Sequence, residues 1–334
     1  MACKTKSKDI YGRKELLDKV AKLVFLFLAI LCASFVIFIA CFIAWKGIYP
    51  FFHNYSLQPG TVSRQDFGLF FSNPRWLYDG TGGMLFLLLT TLFTTLLSLL
   101  ISAPTSIFTA LFIARIAPKW LKSVLQSAID LLASIPSVIY GLFGVGVICP
   151  AVASLRPDTF GGRSILSGIV VLALMSIPTM TTLSMNAMEA VDKRLIHSSI
   201  ALGASSAQTN FKIVIGSSSS GIFAGMILGI GRALGEATAI QMVIGNNSLG
   251  TSFYNVFAPG NTLTSAMLSG IGEAAGIGYD VRFCLGFVLI LVILGTSMIL
   301  NSIKRRLNPY APQKESWLHA FMQKLKEKKE AGHE

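Results

Sequence analysis

Six long apolar segments constrain this chain more than any other feature of its sequence. Each is about as long as the roughly 20 residues that a helix needs to cross a hydrocarbon layer about 30 Å thick. The segments are residues 23–45, 84–115, 121–153, 164–185, 217–245 and 283–303. Only 13% of the residues are charged, whereas a typical soluble domain has about 25%. The sequence therefore predicts an all-α integral membrane protein with six transmembrane helices.

Basic residues divide the chain into a membrane domain and two tails. Residues 1–22 and 304–334 are polar and basic, and they flank the predicted membrane domain, residues 23–303. With a cytoplasmic N-terminus, the inner segments hold 21 of the 28 Lys and Arg residues and the outer segments hold six. Since Lys and Arg accumulate in cytoplasmic loops, this excess predicts that both termini are cytoplasmic. The net charge of +12 thus indicates topology, and no stacking pattern for nucleic acid accompanies it.

Proline and glycine interrupt several predicted spans. Pro104 and Pro178 lie inside the second and fourth spans, where proline kinks a helix. In the third span the segment IPSVIYGLFGVG contains Pro136 and Gly141, which predict a bent or broken helix. Such a break is tolerated at membrane depth only where protein or water covers it.

The two long outer loops are predicted to be irregular. Residues 46–83 form a polar loop with turn formers at Pro59-Gly60, Asn73-Pro74 and Asp79-Gly80. Residues 246–281 are rich in Gly, Asn and Ser, and we expect a short re-entrant helix at about 264–272.

The fifth span carries two charged residues in an otherwise apolar segment, GIFAGMILGIGRALGEATAIQMVIG. An ionised side chain at the bilayer centre costs at least about 2.5–3.5 kcal/mol, so Arg232 and Glu236 indicate an ion or substrate path. Four residues apart on a helix, they would share one face and neutralise each other. The alternative is an ion pair that only locks helix packing. Gly225 and Gly229 also repeat at a spacing of four, which favours close approach of another helix.

Enzyme signatures are absent from the sequence. There is no Walker A motif, no HExxH and no GxSxG, and the five cysteines form no CxxC pair. Asp130 has no second carboxylate near it in sequence, so a structural ion pair is the simpler interpretation. We therefore expect neither a catalytic group nor a metal site in this chain.

Residues 186–216 are more polar than the flanking spans, and we expect a loop with short helices. From His197 the loop contains HSSIALGASSAQTNFKIVIG, which resembles the segment that couples ABC-importer permeases to their ATPase. That segment has Glu-Ala-Ala, three residues, Gly, nine residues and Ile-x-Leu-Pro. Gly203 and Ile213 match its spacing, whereas His197 replaces the Glu and Gly216 replaces the Pro. Ala201 and Ala204 flank the matching glycine; an ordinary amphipathic loop is the alternative.

Three further segments resemble one family within these permeases. GRALGEATAIQMVIGN at 231–246, IPSVIYGLFG at 135–144 and SIPTM at 176–180 are similar to motifs of phosphate-specific ABC importer permeases, of the PstC type rather than the PstA type. The resemblance covers about residues 84–303. It implies the type I ABC importer permease fold, with Arg232 and Glu236 on the substrate pathway and the 197–216 loop as the coupling element.

The resemblance also implies partners and a location. These are a PstA-like permease, a PstB-like ATPase dimer that binds ATP and Mg²⁺, and an extracytoplasmic phosphate-binding protein, at the cytoplasmic membrane of a bacterium or archaeon. The chain itself would bind no cofactor and would not be an enzyme. Two alternatives remain open from the residues: a permease for another oxyanion such as molybdate or sulfate, and a non-transporting membrane scaffold or sensor.

Overall fold

The computed structural model contains six helical segments that are long and apolar enough to cross a membrane, as the sequence predicts. It describes residues 2–53, 55–58, 61–63, 66–76, 82–157, 159–247 and 253–307. Within these residues the six segments are Asp18–Phe52, Leu85–Ile116, Ser137–Leu155, Ile165–Glu189, Ser206–Gly235 and Ile277–Lys304.

Regular structure covers most of the described chain. In chain order the elements are α1 (Ala2–Phe52), β1 (Tyr55–Gln58), β2 (Thr61–Ser63), α2 (Phe67–Ser72), α3 (Leu85–Leu111), α4 (Lys119–Ser134), α5 (Ser137–Phe143), α6 (Cys149–Leu155), α7 (Ile165–Glu189), α8 (Lys193–Ala201), α9 (Ser206–Gln208), α10 (Ile215–Gly235), α11 (Thr238–Val243), α12 (Leu263–Leu268) and α13 (Ile277–Leu307). Three π-helical segments, Phe112–Ile116, Gly144–Ile148 and Thr209–Val214, continue α3, join α5 to α6 and precede α10.

The third span is shorter than the sequence predicts. The predicted segment 121–153 contains two separate helices, because α4 ends at Ser134 and α5 begins at Ser137. Pro136 lies between them with extended backbone angles, φ −58° and ψ 142°. Proline disfavours helical geometry at the residue before it, so the chain must leave the helix here. The predicted break is confirmed, but α4, with Asp130, lies outside the membrane-crossing helix.

Prolines inside the second and fourth spans do not end those helices. Pro104 lies within α3 and Pro178 within α7. Hydroxyl side chains donate to backbone carbonyls one turn earlier, as Thr91 does to Leu87 (2.6 Å) and Thr182 to Pro178 (3.1 Å). These bonds satisfy the hydroxyls inside an apolar environment, where an unpaired hydroxyl is costly.

The chain divides into two compact units. The first comprises the residues up to Ser102 together with Leu131–Ile177 and Ile230–Ile293, and the second comprises Ala103–Asp130, Pro178–Gly229 and the chain from Leu294. The core of the first unit includes Phe70, Trp76 and Met84, each no more than 2% exposed. The core of the second includes Met188 and Val214, both fully buried.

The loop after α1 contains an antiparallel pair, β1 with β2, and a short helix, α2, none of which the sequence analysis predicted. Two of its predicted turns, Pro59-Gly60 and Asp79-Gly80, lie outside the described residues. The short helix expected at 264–272 is confirmed as α12, six residues long. α1 begins at Ala2, so the backbone of the predicted N-terminal tail is helical, whereas residues 308–334 of the C-terminal tail lie outside the described chain.

Two basic residues that the topology count placed in outer loops lie in helices. Lys46 belongs to α1, where its Nζ contacts Asp280 Oδ1 at 3.1 Å. Tyr55 donates its hydroxyl to Asp280 Oδ2 at 2.6 Å, so three elements of the first unit meet at one carboxylate. Arg282 belongs to α13, is 3% exposed, and donates to the carbonyls of Gly278 and Ser269.

Candidate functional site

Arg232 occupies the last turn of α10 and is half-buried. Its neighbours Gly231 and Gly235 border open space, since a Cβ at either position would have no atom within 4 Å among the described residues. The structure thus places a cation in the last turn of a candidate membrane-crossing helix, next to glycines whose Cβ positions border open space.

Glu236 does not continue the helix that carries Arg232. α10 ends at Gly235 and α11 begins at Thr238, so the prediction of one helix through both charged residues is wrong. Glu236 Oε1 instead accepts hydrogen bonds from the Thr238 hydroxyl (2.9 Å) and the Ala239 N–H (3.0 Å). The carboxylate therefore satisfies backbone and side-chain donors at the start of the next helix, as N-terminal capping groups do.

α5, the first helix of the third span, packs against the chain just after the α10–α11 break. Gly141 of α5 lies against α11, where an added Cβ would come 3.0 Å from Ala239 Cα and 2.7 Å from Met242 Sδ. The hydroxyls of Ser137 and Thr238 lie 2.9 Å apart, which links the start of α5 to the start of α11. A larger residue at 141 would separate the two helices. The predicted packing role of Gly141 thus has a specific partner, α11.

α12 supports the same break from the other side. Thr264 donates its hydroxyl to the carbonyl of Glu236 at 2.7 Å. Thr262 and Ser265 form a capping box that fixes the start of α12, and the Leu263 N–H donates to Thr91 Oγ1 of α3 at 3.0 Å. The Thr264 hydroxyl thus gives the Glu236 carbonyl the donor that a continuous helix would have supplied.

Sequence reasoning missed Ser137, Thr238 and Thr264. Each is a small hydroxyl residue in a segment with many others, and no spacing pattern distinguishes them. The one available signal was that Glu236 is followed two residues later by Thr, because a carboxylate just before a short helix often caps it.

The glycine stripe on α10 packs within the chain. Gly225 lies against α7, where a Cβ would be 3.2 Å from Leu183 Cβ, and Cβ atoms at Gly221 and Gly229 would clash with Ala187 and Met180. Gly225 and Gly229 therefore lie where α7 approaches α10 within the same unit.

The loop before α10 forms a helix–turn–helix. α8 is capped by Asp192, whose Oδ1 accepts from the Arg194 N–H at 2.9 Å, and it ends at Ala201. Gly203 follows with a φ of 84°, a conformation that other residues adopt only with strain. Ser205 and Gln208 then form a capping box for α9. The predicted loop with short helices and a glycine turn is confirmed.

Most of the residues predicted for coupling lie on the surface of this loop. His197, Ala201, Gly203 and Gly216 are exposed, and Ala204 and Ile213 are partly buried. Leu202, at the turn, is 89% exposed. Ile196 and Val214 are buried in the core of the second unit, and the hydroxyls of Ser199 and Thr209 lie 3.0 Å apart. The helices on both sides of the turn are thus fixed by buried side chains and by the Ser199–Thr209 contact, whereas Leu202 at the turn is exposed.

The described residues contain no group of three or more His, Cys, Asp or Glu side chains that could hold a metal ion. Asp130 lies exposed on α4.

The sequence was compared with known protein families. Residues 104–310 match the family described as the binding-protein-dependent transport system inner membrane component. The chain belongs to this family. The matched range covers more than half of the chain and includes α4 to α13, with both the helix break and the helix–turn–helix loop. The chain is therefore a multi-pass membrane protein of a family of transport components.

Individual relatives are similar over shorter stretches. A probable ABC transporter permease protein, YqgH of Bacillus subtilis, is 36% identical over 182 residues, which are 54% of this chain and 58% of the relative. The phosphate transport system permease protein PstC of Xylella fastidiosa is 33% identical over 215 residues, 59% of this chain and 65% of the relative. The chain thus spans less than two thirds of the length of these relatives.

Solved structures show the same fold. The crystal structure of a bacterial ABC transporter involved in the import of the acidic polysaccharide alginate contains a chain that aligns with a TM-score of 0.55. The alignment covers 87% of this chain and 98% of the other, at 17% identity. At that identity the likeness concerns the fold alone, and it confirms the predicted ABC importer permease architecture.

Proposed function

We propose that this chain is a permease subunit of an ATP-driven importer that moves inorganic phosphate across the cytoplasmic membrane. The observation that carries the proposal is the half-buried Arg232 at a helix break that faces open space, in a chain similar to a PstC phosphate permease. Scaffolds and sensors have no need of an accessible cation at membrane depth, and such residues usually mark a substrate path.

Arg232 would contact the substrate directly. A guanidinium forms charge-assisted hydrogen bonds with phosphate oxygens, and these are stronger than bonds between neutral groups. The open sides of Gly231 and Gly235 leave room for a tetrahedral anion next to the end of α10. A transport path must also release what it binds, so one cation in a polar setting suits transit better than a closed cluster of several.

Glu236 would limit how tightly the anion is held. Its carboxylate lies just past the end of the helix that carries Arg232, and it is fixed by Thr238 and Ala239. A negative charge held there opposes the phosphate charge and favours release. Thr264 and Ser137 would keep the break in place during transport through their bonds to Glu236 and Thr238.

The helix–turn–helix loop would couple transport to ATP hydrolysis. Its exposed apolar tip at Leu202 suits a cleft on an ATPase subunit, and the loop leads through a π-helical segment directly into α10. Movement of residues 197–216 would therefore move the helix that carries Arg232. His197, Ala201, Gly203, Ala204, Ile213 and Gly216 are the residues that we assign to this contact.

The proposed complex contains three further kinds of protein. A PstA-like permease would complete the path, a PstB-like ATPase dimer would bind ATP and Mg²⁺, and an extracytoplasmic phosphate-binding protein would deliver the substrate. The chain itself would bind no cofactor and catalyse no hydrolysis. Both of its termini would lie in the cytoplasm, on the side of the ATPase.

Phosphate uptake by the reconstituted complex tests the proposal. Arg232→Gln should abolish ATP-dependent uptake of radiolabelled phosphate while the complex still assembles, because the substitution keeps a polar side chain but removes the charge. Arg156→Gln, at an exposed arginine, is the matched control and should transport normally. Normal uptake by Arg232→Gln would remove this residue from the pathway.

Competition experiments separate the remaining functions. An excess of unlabelled phosphate should suppress uptake, whereas sulfate and molybdate should not. Stronger suppression by either of those anions would identify a different oxyanion permease. No ATP-dependent flux of any of the three anions, with the cognate ATPase and binding protein present, would favour a scaffold or sensor.

A further inference from the structure

α4 is the one long helix of the described chain that lies outside the six candidate membrane-crossing segments of the structure. It has 16 residues, and none of them is fully buried. Leu125 and Ile129 pack against the core of the second unit, and Lys122 forms a salt bridge with Glu189 at 2.6 Å. One face of α4 is therefore held by the protein, and the opposite face is not covered by the described chain.

The uncovered face divides along its length into two strips. At 100° per residue, Trp120, Val124, Ala128 and Leu131 fall within one narrow sector. These residues are exposed, with Trp120 at 70%, Val124 at 58% and Leu131 at 68%. Beside them runs a polar sector of equally exposed residues, Lys119, Ser123, Ser127, Asp130 and Ser134.

The connections of α4 restrict where this face can be. Two residues, Ala117 and Pro118, separate α4 from the segment that ends the second span at Ile116. Two more, Ile135 and Pro136, separate it from the third span at Ser137. A two-residue connector reaches at most about 7 Å, so both ends of α4 must stay close to the ends of membrane-crossing helices.

These observations together describe a helix at the membrane surface. We propose that α4 lies in the interface of the phospholipid bilayer, with its apolar strip among the acyl chains and its polar strip facing water. Amphipathic helices in this position insert their apolar side about 5–10 Å below the headgroups. Tryptophan is enriched at that depth, and Lys119 at the first position complements anionic headgroup phosphates.

This arrangement gives α4 a mechanical role as well as a location. Its lipid-facing strip resists movement out of the interface, while its opposite face holds the core that includes Ile196 of α8 and Val214. The helix would thus anchor the base of the helix–turn–helix loop to the membrane surface. The inference does not depend on which substrate the protein carries.

Spin labels on the two strips test the proposal in the full chain. The five cysteines are replaced by Ala, and single nitroxides are attached at Val124→Cys and Leu131→Cys on the apolar strip. Ser123→Cys and Ser127→Cys on the polar strip of the same helix are the matched controls. In nanodiscs of phosphatidylethanolamine and phosphatidylglycerol, oxygen should collide more than a nickel chelate at 124 and 131, with the order reversed at 123 and 127.

Two outcomes would overturn the proposal. A nickel preference at all four positions would show that α4 projects into water. Exclusion of both reagents at 124 and 131 would show that another protein segment covers the strip.

A second measurement keeps the test independent of the cysteine substitutions. The natural chain and Trp120→Phe are compared for fluorescence quenching by phospholipids brominated near the headgroup. The emission of the natural chain minus that of Trp120→Phe isolates Trp120, and the brominated phospholipids should quench this difference. A difference emission that the brominated phospholipids leave unchanged would contradict an interfacial position for this side chain.

Discussion

Two charged clusters in the first unit use similar residues in opposite ways. Asp280, 6% exposed, receives side-chain bonds from Lys46 and from Tyr55, which belong to two other elements. Arg232 and Glu236 are both half-buried, and the glycines beside Arg232 border open space. We call these the locked cluster and the open cluster.

The difference teaches how to interpret a charge at membrane depth. A buried carboxylate that is bonded by two neighbouring elements stabilises their arrangement, and its burial keeps a ligand away. Arg232 is only half-buried at a helix break beside open space, which suits the substrate contact that we propose for it. Substitutions should therefore affect stability in the locked cluster and transport in the open one.

The largest loss of stability is expected from Lys46→Met. The substitution leaves Asp280 charged and buried with one bond fewer, which should lower the free energy of unfolding by about 2–3 kcal/mol. Breaking a fully buried pair costs more, but the Lys46 side chain is 36% exposed. Thermal unfolding in detergent measures the change. Lys193→Met, at an exposed lysine of α8, is the control and should change stability by less than about 0.5 kcal/mol. Equal stability of the two variants would mean that the cluster is not locked.

Tyr55→Phe should have a smaller effect that depends on pH. At neutral pH the loss of one hydrogen bond to a carboxylate should cost about 1.5 kcal/mol. Burial, and next the hydrogen bond to Asp280, raise the pKa of Tyr55 in the folded chain. The stabilisation by the protonated hydroxyl is therefore complete below the ordinary pKa of about 10 and is lost as the pH rises through the raised value. The gap between the natural chain and Tyr55→Phe should narrow above about pH 10, and a constant gap would contradict this assignment.

Glu236→Ala removes the acceptor for Thr238 and Ala239 in the open cluster and should cost about 1 kcal/mol. Glu236→Gln keeps an acceptor oxygen and should remain close to the natural stability. Its transport should nevertheless change, with a lower KM and a lower kcat for phosphate, since the opposing charge is gone. Unchanged kinetics in Glu236→Gln would confine this residue to capping.

Gly231→Leu should have the smallest effect on stability and a clear effect on transport. An added Cβ there meets no neighbouring atom within 4 Å, and leucine favours a helix over glycine by up to about 0.8 kcal/mol. The new side chain would fill the space beside Arg232 and reduce phosphate uptake. Gly295→Leu, at an equally open glycine of α13, should leave uptake unchanged. A stable Gly231→Leu with full uptake would show that the space is not part of the path.

Glycine positions show where the limit of sequence prediction lies. Gly221, Gly225 and Gly229 repeat every four residues, and so do Gly231 and Gly235, yet the first three pack against α7 and the last two border open space. Spacing predicts that a helix can be approached closely. Whether anything approaches depends on the course of other helices, which local sequence does not contain.

The partners of Glu236 illustrate the same limit over a longer distance. The charge of Glu236 and the glycines before it made it a candidate, but Thr264 contacts it from 28 residues away. Lys46 and Arg282 were placed in loops because each lies at the end of an apolar run. The structure extends the helices past those ends, and there Lys46 donates to Asp280 while Arg282 donates to the carbonyls of Gly278 and Ser269.

The length of the apolar segments and the distribution of charge determined by themselves that this chain crosses a membrane six times. An ionised or unpaired polar group is costly in lipid, so the charged segments must lie between the spans and not within them. Pro136 and Gly141 predicted a break in the third span, and the structure has it at the proline, because a proline ring restricts the residue before it. Only the tertiary structure decided which buried charge is locked and which is open. That choice depends on bonds between elements that are distant in sequence, such as Lys46 to Asp280 and Thr264 to Glu236.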